Sequence, residues 1–331
     1  MSPTEILYAW LASFEKTLAD KDLERLAAHF YEECFWRDML AFTWNIVTLE
    51  GLAEISHMLV ETLDDSAPRN WRLDGPVIQN EEMTEAWIRF DTRSGSCKGY
   101  LRLKDNLCFT LLTTLHTLWN HSPTTGSDRP RGVEHGAFRG RPTWQMQRQS
   151  EISEIGNSRQ PFCVIIGAGQ GGLALAARLR HLEVPTLIVE KNERIGDSWR
   201  NRYDSLCLHD PVWYDHMPYL PFPEGWPVFT PKEKMGDWLE MYATVMELDC
   251  WTGTECKNAS FNAETGLWDV SVDRRGQIHV LNPRHLVFAT GMSGYPHIPE
   301  FRGQNRFEGR QLHSSQFKRG LDFRDKRCVV I

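Results

Sequence analysis

The 331-residue sequence predicts an α+β domain followed by an α/β domain with a doubly wound, mostly parallel sheet. Three observations carry this expectation. Over roughly the first 120 residues, apolar positions recur first at helical and then at strand spacing. Periodicity then disappears between about 121 and 160, where Pro, Gly, Ser, Arg and His dominate. From 161 to 331 the order is strand, glycine-rich turn, helix, strand.

Taken in order, Ile6, Leu7, Trp10, Leu11, Phe14 and Leu18, then Leu23, Leu26 and Phe30, predict one or two amphipathic helices, and Leu52 to Leu63 predicts another. After Pro68, alternation around Met83 to Phe90, Tyr100 to Leu103 and Leu107 to Leu118 predicts a strand meander. The aperiodic stretch, closing on a polar helix from Trp144 to Ile155, reads as an interdomain linker, because a structureless loop of that length is unusual inside a compact domain. Beyond it, FCVIIG, AGQGG, LALAARLRHL and TLIVE form one βαβ unit, with later strands at 268–272, 279–280 and 285–289.

The net charge of −7 comes from interspersed acids and bases, so no nucleic-acid or anionic-lipid footprint is present. Eight cysteines lack C-x-x-C spacing, which favours a reducing, cytoplasmic compartment and argues against a redox-active pair such as disulfide reductases need. The longest apolar run, Leu107 to Trp119, is too short to span a bilayer.

Gly167-Ala168-Gly169-Gln170-Gly171-Gly172 matches G-x-G-x-x-G directly after an apolar strand and at the opening of a helix. Gly167 suits a tight turn, Gly169 an unhindered approach of backbone to a pyrophosphate, and Gly172 close helix–sheet packing. The helix then aims its first N–H groups and positive dipole end at the phosphates. Glu190, ending the next strand, stands where such folds bind the adenosine ribose, and its charge disfavours a 2′-phosphate, so this site should take FAD or NAD. A glycine-rich turn in an unrelated α/β protein is the competing reading.

The segment Gly196-Asp197-Ser198-Trp199-Arg200-Asn201-Arg202-Tyr203-Asp204-Ser205-Leu206, continuing to His209 and Pro211, resembles the flavin-contacting segment of flavin-containing monooxygenases and their YUCCA-like and fungal relatives. Phe307 to Phe317 fits F-x-G-x-x-x-H-x-x-x-F, the identifying motif of that superfamily, and Ala289-Thr290-Gly291 followed by Pro296, Pro299 and Gly303 resembles its ATG segment and linker. The resemblance implies an enzyme in which FAD, NADPH and dioxygen oxygenate a small-molecule substrate. It assigns the cofactor-binding roles to Gly167, Gly169, Gln170, Gly171, Gly172, Glu190, Lys191, Ser198, Trp199, Arg200, His209, Ala289, Thr290 and Gly291. It places His209 and His313 nearest the chemistry. Two departures matter. Animal members carry asparagine near the position of His209, and Baeyer–Villiger members close the identifying motif with Trp-Pro where Phe317-Lys318 stands here. The second favours N- or S-oxygenation or oxidative decarboxylation over ketone oxygenation.

Asp325 to Ile331 looks like a copy of the strand feeding the first glycine turn, so the expected NADPH-binding fold would lie beyond the C-terminus and the chain would be a fragment. A genuine terminal strand at a sheet edge is the alternative. Residues 1–120 resemble the NTF2-like (SnoaL-like) cone of some fungal relatives, which allows a homodimer through that domain. Phe35, Trp36, Arg37, Asp38, Trp44 and His57 could line its pocket, or be core and surface residues. The Pro211 to Pro223 run reads as a rigid loop over the flavin or a self-packed surface loop. His209, Asp210, Asp215 and His216 are not expected to hold metal. The rival to an enzyme is a non-enzymatic relic that binds FAD or dimerises.

Overall fold

The computed structural model describes residues 2–331 apart from Glu81, Glu134, His135, Ala137, Phe138 and Ser293. The chain divides into two compact units, Met1–Ser122 and Pro123–Ile331. Four residues of the expected linker, at 134, 135, 137 and 138, lie outside the described residues.

In the first unit, α1 (Pro3–Asp20) starts on a capping box: Glu5 N–H donates to the Ser2 hydroxyl, and the Ser2 N–H donates back to the Glu5 carboxylate. Its apolar stripe, Leu7, Trp10, Leu11, Phe14 and Leu18, is buried. A 3₁₀ turn at Leu23–Ala28 follows, and Phe30, expected within the helical stretch, instead opens β1 (Phe30–Met39). From Cys34 the buried positions Cys34, Trp36 and Asp38 alternate with outward ones, the period of a strand. β2 (Ile46–Glu50) returns antiparallel to β1, and α2 (Gly51–Ser66) leads to β3 (Arg69–Leu73) and the short β4 (Ile78–Gln79).

The predicted meander is β5 (Thr84–Asp91), β6 (Gly95–Lys104) and β7 (Leu107–Leu118). The sheet order is β2-β1-β7-β6-β5-β3, with β4 beside β5, and β1 lies parallel to β7. Register shifts within β6–β7 and β1–β7 bend the sheet. Its concave contents are α1 and α2 residues interleaved with Trp36, Trp71, Phe90 and Leu101.

The second unit begins within the expected linker. The Thr124 N–H donates to the His181 carbonyl at 2.7 Å, and the polar helix α3 (Trp144–Glu154) is tied down by Arg148 to Asp249 at 2.7 Å and by the Trp144 indole to Glu247 at 2.8 Å. The predicted βαβ unit follows as β8 (Cys163–Ile166), α4 (Gln170–His181) and β9 (Thr186–Val189). Beyond the one-turn α5 (Asp197–Arg200) come α6 (Lys232–Val245), β10 (Cys250–Trp251), the antiparallel β11 (Thr254–Asn262), β12 (Leu267–Arg274) and β13 (Gln277–Leu281), and β14 (His285–Phe288).

The parallel sheet runs β10-β9-β8-β14. Successive residues of its central strands enter different cores: Ile165 and Ile188 meet α4 and α6, while Val164 and Leu187 meet Trp251, Val270 and Val272. Burial on both faces explains the uninterrupted apolar runs of β8 and β9. Among the described residues after β14 the only regular elements are short 3₁₀ turns, and Cys328–Ile331 is exposed and irregular, so it does not form the alternative terminal strand at a sheet edge.

Candidate functional site: a glycine turn between two strand ends

The turn after β8 is built from glycines that serve different purposes. Gly167 sits at φ +110°, and a Cβ there would lie 2.5 Å from the Ala289 carbonyl oxygen, so β14 and the turn approach backbone to backbone. At Gly172 a Cβ would lie 2.0 Å from the Gly167 carbonyl oxygen. Both glycines are required by the fold itself. Gly169 and Gly171 are not: their φ values are not in the left-handed region, and a Cβ on either would meet nothing within 4 Å.

Open space beside these two, at the N-terminus of a 12-residue helix, is a cradle suited to an anionic ligand. The first turn of α4 has N–H groups without intrahelical acceptors, and Leu173 is the first to donate back, to Gly169 at 3.0 Å. No acidic side chain stands in that turn. The residues therefore fit a dinucleotide diphosphate.

Glu190 is only 6% exposed, and its carboxylate joins the two ends of the cradle. One oxygen accepts the Ala168 N–H at 2.8 Å, and the other accepts the Asn192 backbone N–H at 2.8 Å and its side-chain amide at 2.7 Å. A carboxylate offers about four acceptor positions, which leaves about one for an outside hydroxyl. Asn192, unnoticed in the sequence, thus orients the acid; its place two residues after the acid was the only available signal.

Trp199, on α5, donates its indole N–H to the Gln170 side chain at 3.2 Å, which brings the second motif to the start of α4. Ala289, Thr290 and Gly291 follow β14 beside Gly167, while Lys191 is exposed with its ammonium 5.7 Å from the Tyr295 ring. Ser198 and His209 are exposed. His313 accepts the Ser315 N–H on its ring nitrogen and caps a 3₁₀ turn. That turn is fixed to the Trp199 segment: Asp204 N–H donates to the Lys318 carbonyl at 2.9 Å, the Lys318 ammonium donates to the Asn201 carbonyl, and Phe317 contacts Tyr203 at 6.0 Å between ring centroids. Two motifs more than 100 residues apart in sequence are thereby joined.

Arg200 is held by protein groups. All three guanidinium nitrogens are engaged by protein: Nε and Nη2 with Asp237, Nη2 also with Glu240, and Nη1 with Asp197 and the Ile195 carbonyl. In the 211–223 loop, Val212, Met217 and Phe222 are buried against the core of α4 and α6, whereas Trp213 and Tyr214 are exposed. Asp215 has one buried oxygen without a partner, and burial, then the Asp210 charge, pushes its carboxyl up while His216 opposes the shift. Among the described residues, no group of three or more His, Cys, Asp or Glu side chains is placed to hold a metal. No helix among them is long and apolar enough to cross a membrane.

Of the two readings for the first unit, these residues follow the core-and-surface one. Trp36 and Asp38 point inward and are wholly buried, with Asp38 accepting from Thr113, Thr43 and two backbone amides. Arg37, on the alternate face, is exposed and bonds Thr48; Trp44 is 59% exposed; His57 pairs with Glu61 on the surface of α2. Strand alternation separates residues that are adjacent in sequence.

Strand, glycine turn, helix and second strand ending in an acid define a dinucleotide-binding α/β fold. The model of the flavin-binding monooxygenase-like family matches residues 162–331, and the chain belongs to that family. It is 37% identical over 172 residues to indole-3-pyruvate monooxygenase YUCCA1 of Oryza sativa subsp. japonica, covering 52% of this chain and 42% of that protein. With probable indole-3-pyruvate monooxygenase YUCCA7 of Arabidopsis thaliana it shares 38% identity over 174 residues, covering 51% and 40%. The chain thus spans about two fifths of the length of these relatives. Among solved structures, a flavin-containing monooxygenase from Stenotrophomonas maltophilia aligns at 25% identity and a TM-score of 0.45, over 49% of this chain and 48% of that one.

Proposed function

We propose that residues 162–331 bind FAD and act as the flavin-holding part of an NADPH-dependent monooxygenase. The observation that carries this reading is the pair Gly169 and Gly171. The fold does not need them as glycines, yet they keep space open at a helix N-terminus within a family named for binding flavin. The diphosphate would lie on the first N–H groups of α4, and one ribose hydroxyl would take the free acceptor position of Glu190. Trp199, held by Gln170, would bound the cofactor on the side of α5, with His209 and the His313 turn near the reacting end.

When bound, FAD supplies the capacity to take up hydride from NADPH and to activate dioxygen. The protein supplies orientation and exclusion of water. The substrate class is a small molecule undergoing N- or S-oxygenation or oxidative decarboxylation. Lys318 after Phe317 supports this choice, and the relatives carry indole-3-pyruvate in their names. For the first unit, the curved sheet wrapped on α1 and α2 supports an NTF2-like cone.

The test is the visible spectrum of the purified chain after incubation with FAD and gel filtration. A retained flavin band in stoichiometric amount is expected. A colourless, folded protein would overturn the reading.

A further inference from the structure

Arg200 and Lys232 occupy a position that the family resemblance does not explain. α5 and α6 approach closely through two glycines: a Cβ on Gly196 would lie 2.2 Å from the Gly236 carbonyl oxygen, and one on Gly236 would lie 2.8 Å from the Arg200 Cγ. In that contact the Arg200 side chain, 14% exposed, grips Asp197 and the Ile195 carbonyl on its own segment at 3.0 and 2.9 Å. It grips Asp237 and Glu240 of α6, each at 2.8 Å. Lys232, 4% exposed, enters from the first turn of α6, donates to the Arg200 carbonyl at 2.8 Å and pairs with Glu233.

A buried lysine and a nearly buried arginine each need partners to offset their desolvation, and here every partner lies on α5, on α6 or in the residues just before α5. The α5 segment is a single helical turn. It has too little hydrogen bonding of its own to hold a fixed orientation, so its pose is set by this cluster. Trp199, between Ser198 and Arg200, faces the other way and reaches Gln170, the first residue of α4.

We propose that Arg200 and Lys232 are positioning residues that set the Trp199–Gln170 contact beside the glycine turn, and so the tightness of flavin retention, without touching the flavin. The proposal deepens the flavin-binding reading and rests on it. It assigns the second motif two jobs on one turn: Trp199 faces the cofactor side, and Arg200 anchors that turn to α6.

The experiment combines Arg200→Lys, Trp199→Phe and the double variant in the full chain. Arg200→Lys keeps the charge but loses the fork. Each single variant should raise the FAD dissociation constant by up to about tenfold, the scale of one neutral hydrogen bond. The double variant should be no worse than the weaker single one, because both act through one contact. Additive losses would overturn the proposal and give Arg200 its own contact with the cofactor.

A second readout does not depend on flavin. The ¹⁵N-labelled indole signal of Trp199, assigned by its loss in Trp199→Phe, should shift in flavin-free Arg200→Lys and in Lys232→Met; an unmoved signal would refute the clamp. If Arg200→Lys does not fold, Asp237→Asn, which removes one exposed partner, replaces it. If the unaltered chain takes up no FAD, the flavin reading fails and the indole shift alone decides the clamp.

Discussion

At the scale of single residues, the glycine turn separates fold from ligand. A methyl at Gly172 would strike a backbone oxygen at 2.0 Å, so Gly172→Ala should cost about 3 kcal/mol, the upper end for overpacking, and lower the urea midpoint of the second unit; an unchanged midpoint would contradict that geometry. The same methyl at Gly171 meets open space, so Gly171→Ala should hold or slightly raise the midpoint and weaken only flavin binding. Asp38 presents the opposite case, a wholly buried carboxylate with four donors. Asp38→Ala strands those donors and should cost about 3 kcal/mol in a urea titration, and a loss below about 1 kcal/mol would show that the network is dispensable.

His29 adds a pH dependence. It is 5% exposed, bonds the Thr17 hydroxyl at 2.9 Å, and burial pushes its imidazole pKa down from 6.5. The unfolded chain therefore binds more protons than the folded one below about pH 6.5. The stabilisation is complete above that pH and is lost as pH falls toward the lowered folded value. Hydrogen exchange at the Cys108 amide, which donates to the His29 carbonyl, should accelerate between pH 7 and 5 beyond its intrinsic trend. His29→Gln should abolish that excess, and an identical profile in the variant would contradict the assignment.

At the scale of elements, what the sequence disclosed depended on how local each signal was. The βαβ unit was legible because β8, the turn, α4 and β9 are contiguous and both faces of the strands are buried. β1 was not: Phe30 continues the helical spacing of Leu23 and Leu26, and only its long-range parallel pairing with Cys108 makes it the start of a strand. The polar 144–155 stretch was legible as a helix but not as part of the second unit, since its attachments are the distant Asp249 and Glu247. In the site, Gly167 to Gly172 and Glu190 were readable from spacing, and Trp199 from the resemblance of its segment. Asn192, Lys232, Gly236 and Lys318 were hidden, because each acts on a neighbour brought in by the fold. The α5–α6 cluster also predicts acid sensitivity. Hydrogen bonding from Arg194 holds the Glu240 carboxyl below its usual range, burial opposes this, and Arg200 reinforces it. The cluster is complete above the ordinary carboxylate range and is lost as pH falls through the lowered value.

At the scale of the whole molecule, each unit has its own apolar core, one drawn from residues 7–111 and the others from residues 155–281. Ligand binding stabilises only the structure that binds it, by about 2.7 kcal/mol at a hundredfold excess over the dissociation constant. Calorimetry of the full chain should therefore resolve a transition that moves upward with FAD and one that does not. A uniform shift of all unfolding would contradict the assignment of the flavin to residues 162–331 alone.

The most direct test is FAD retention by the full chain and by Gly169→Val, read from the flavin absorption after gel filtration, with the urea midpoint measured on the same samples. A Cβ added at 169 would meet no protein atom within 4 Å, so the substitution loads the open space at the start of α4. The account predicts a yellow parent and a colourless variant that is still folded, its midpoint lowered by no more than the loss of a favourable N-cap residue, about 1 kcal/mol. A variant that keeps its flavin as tightly as the parent would contradict it.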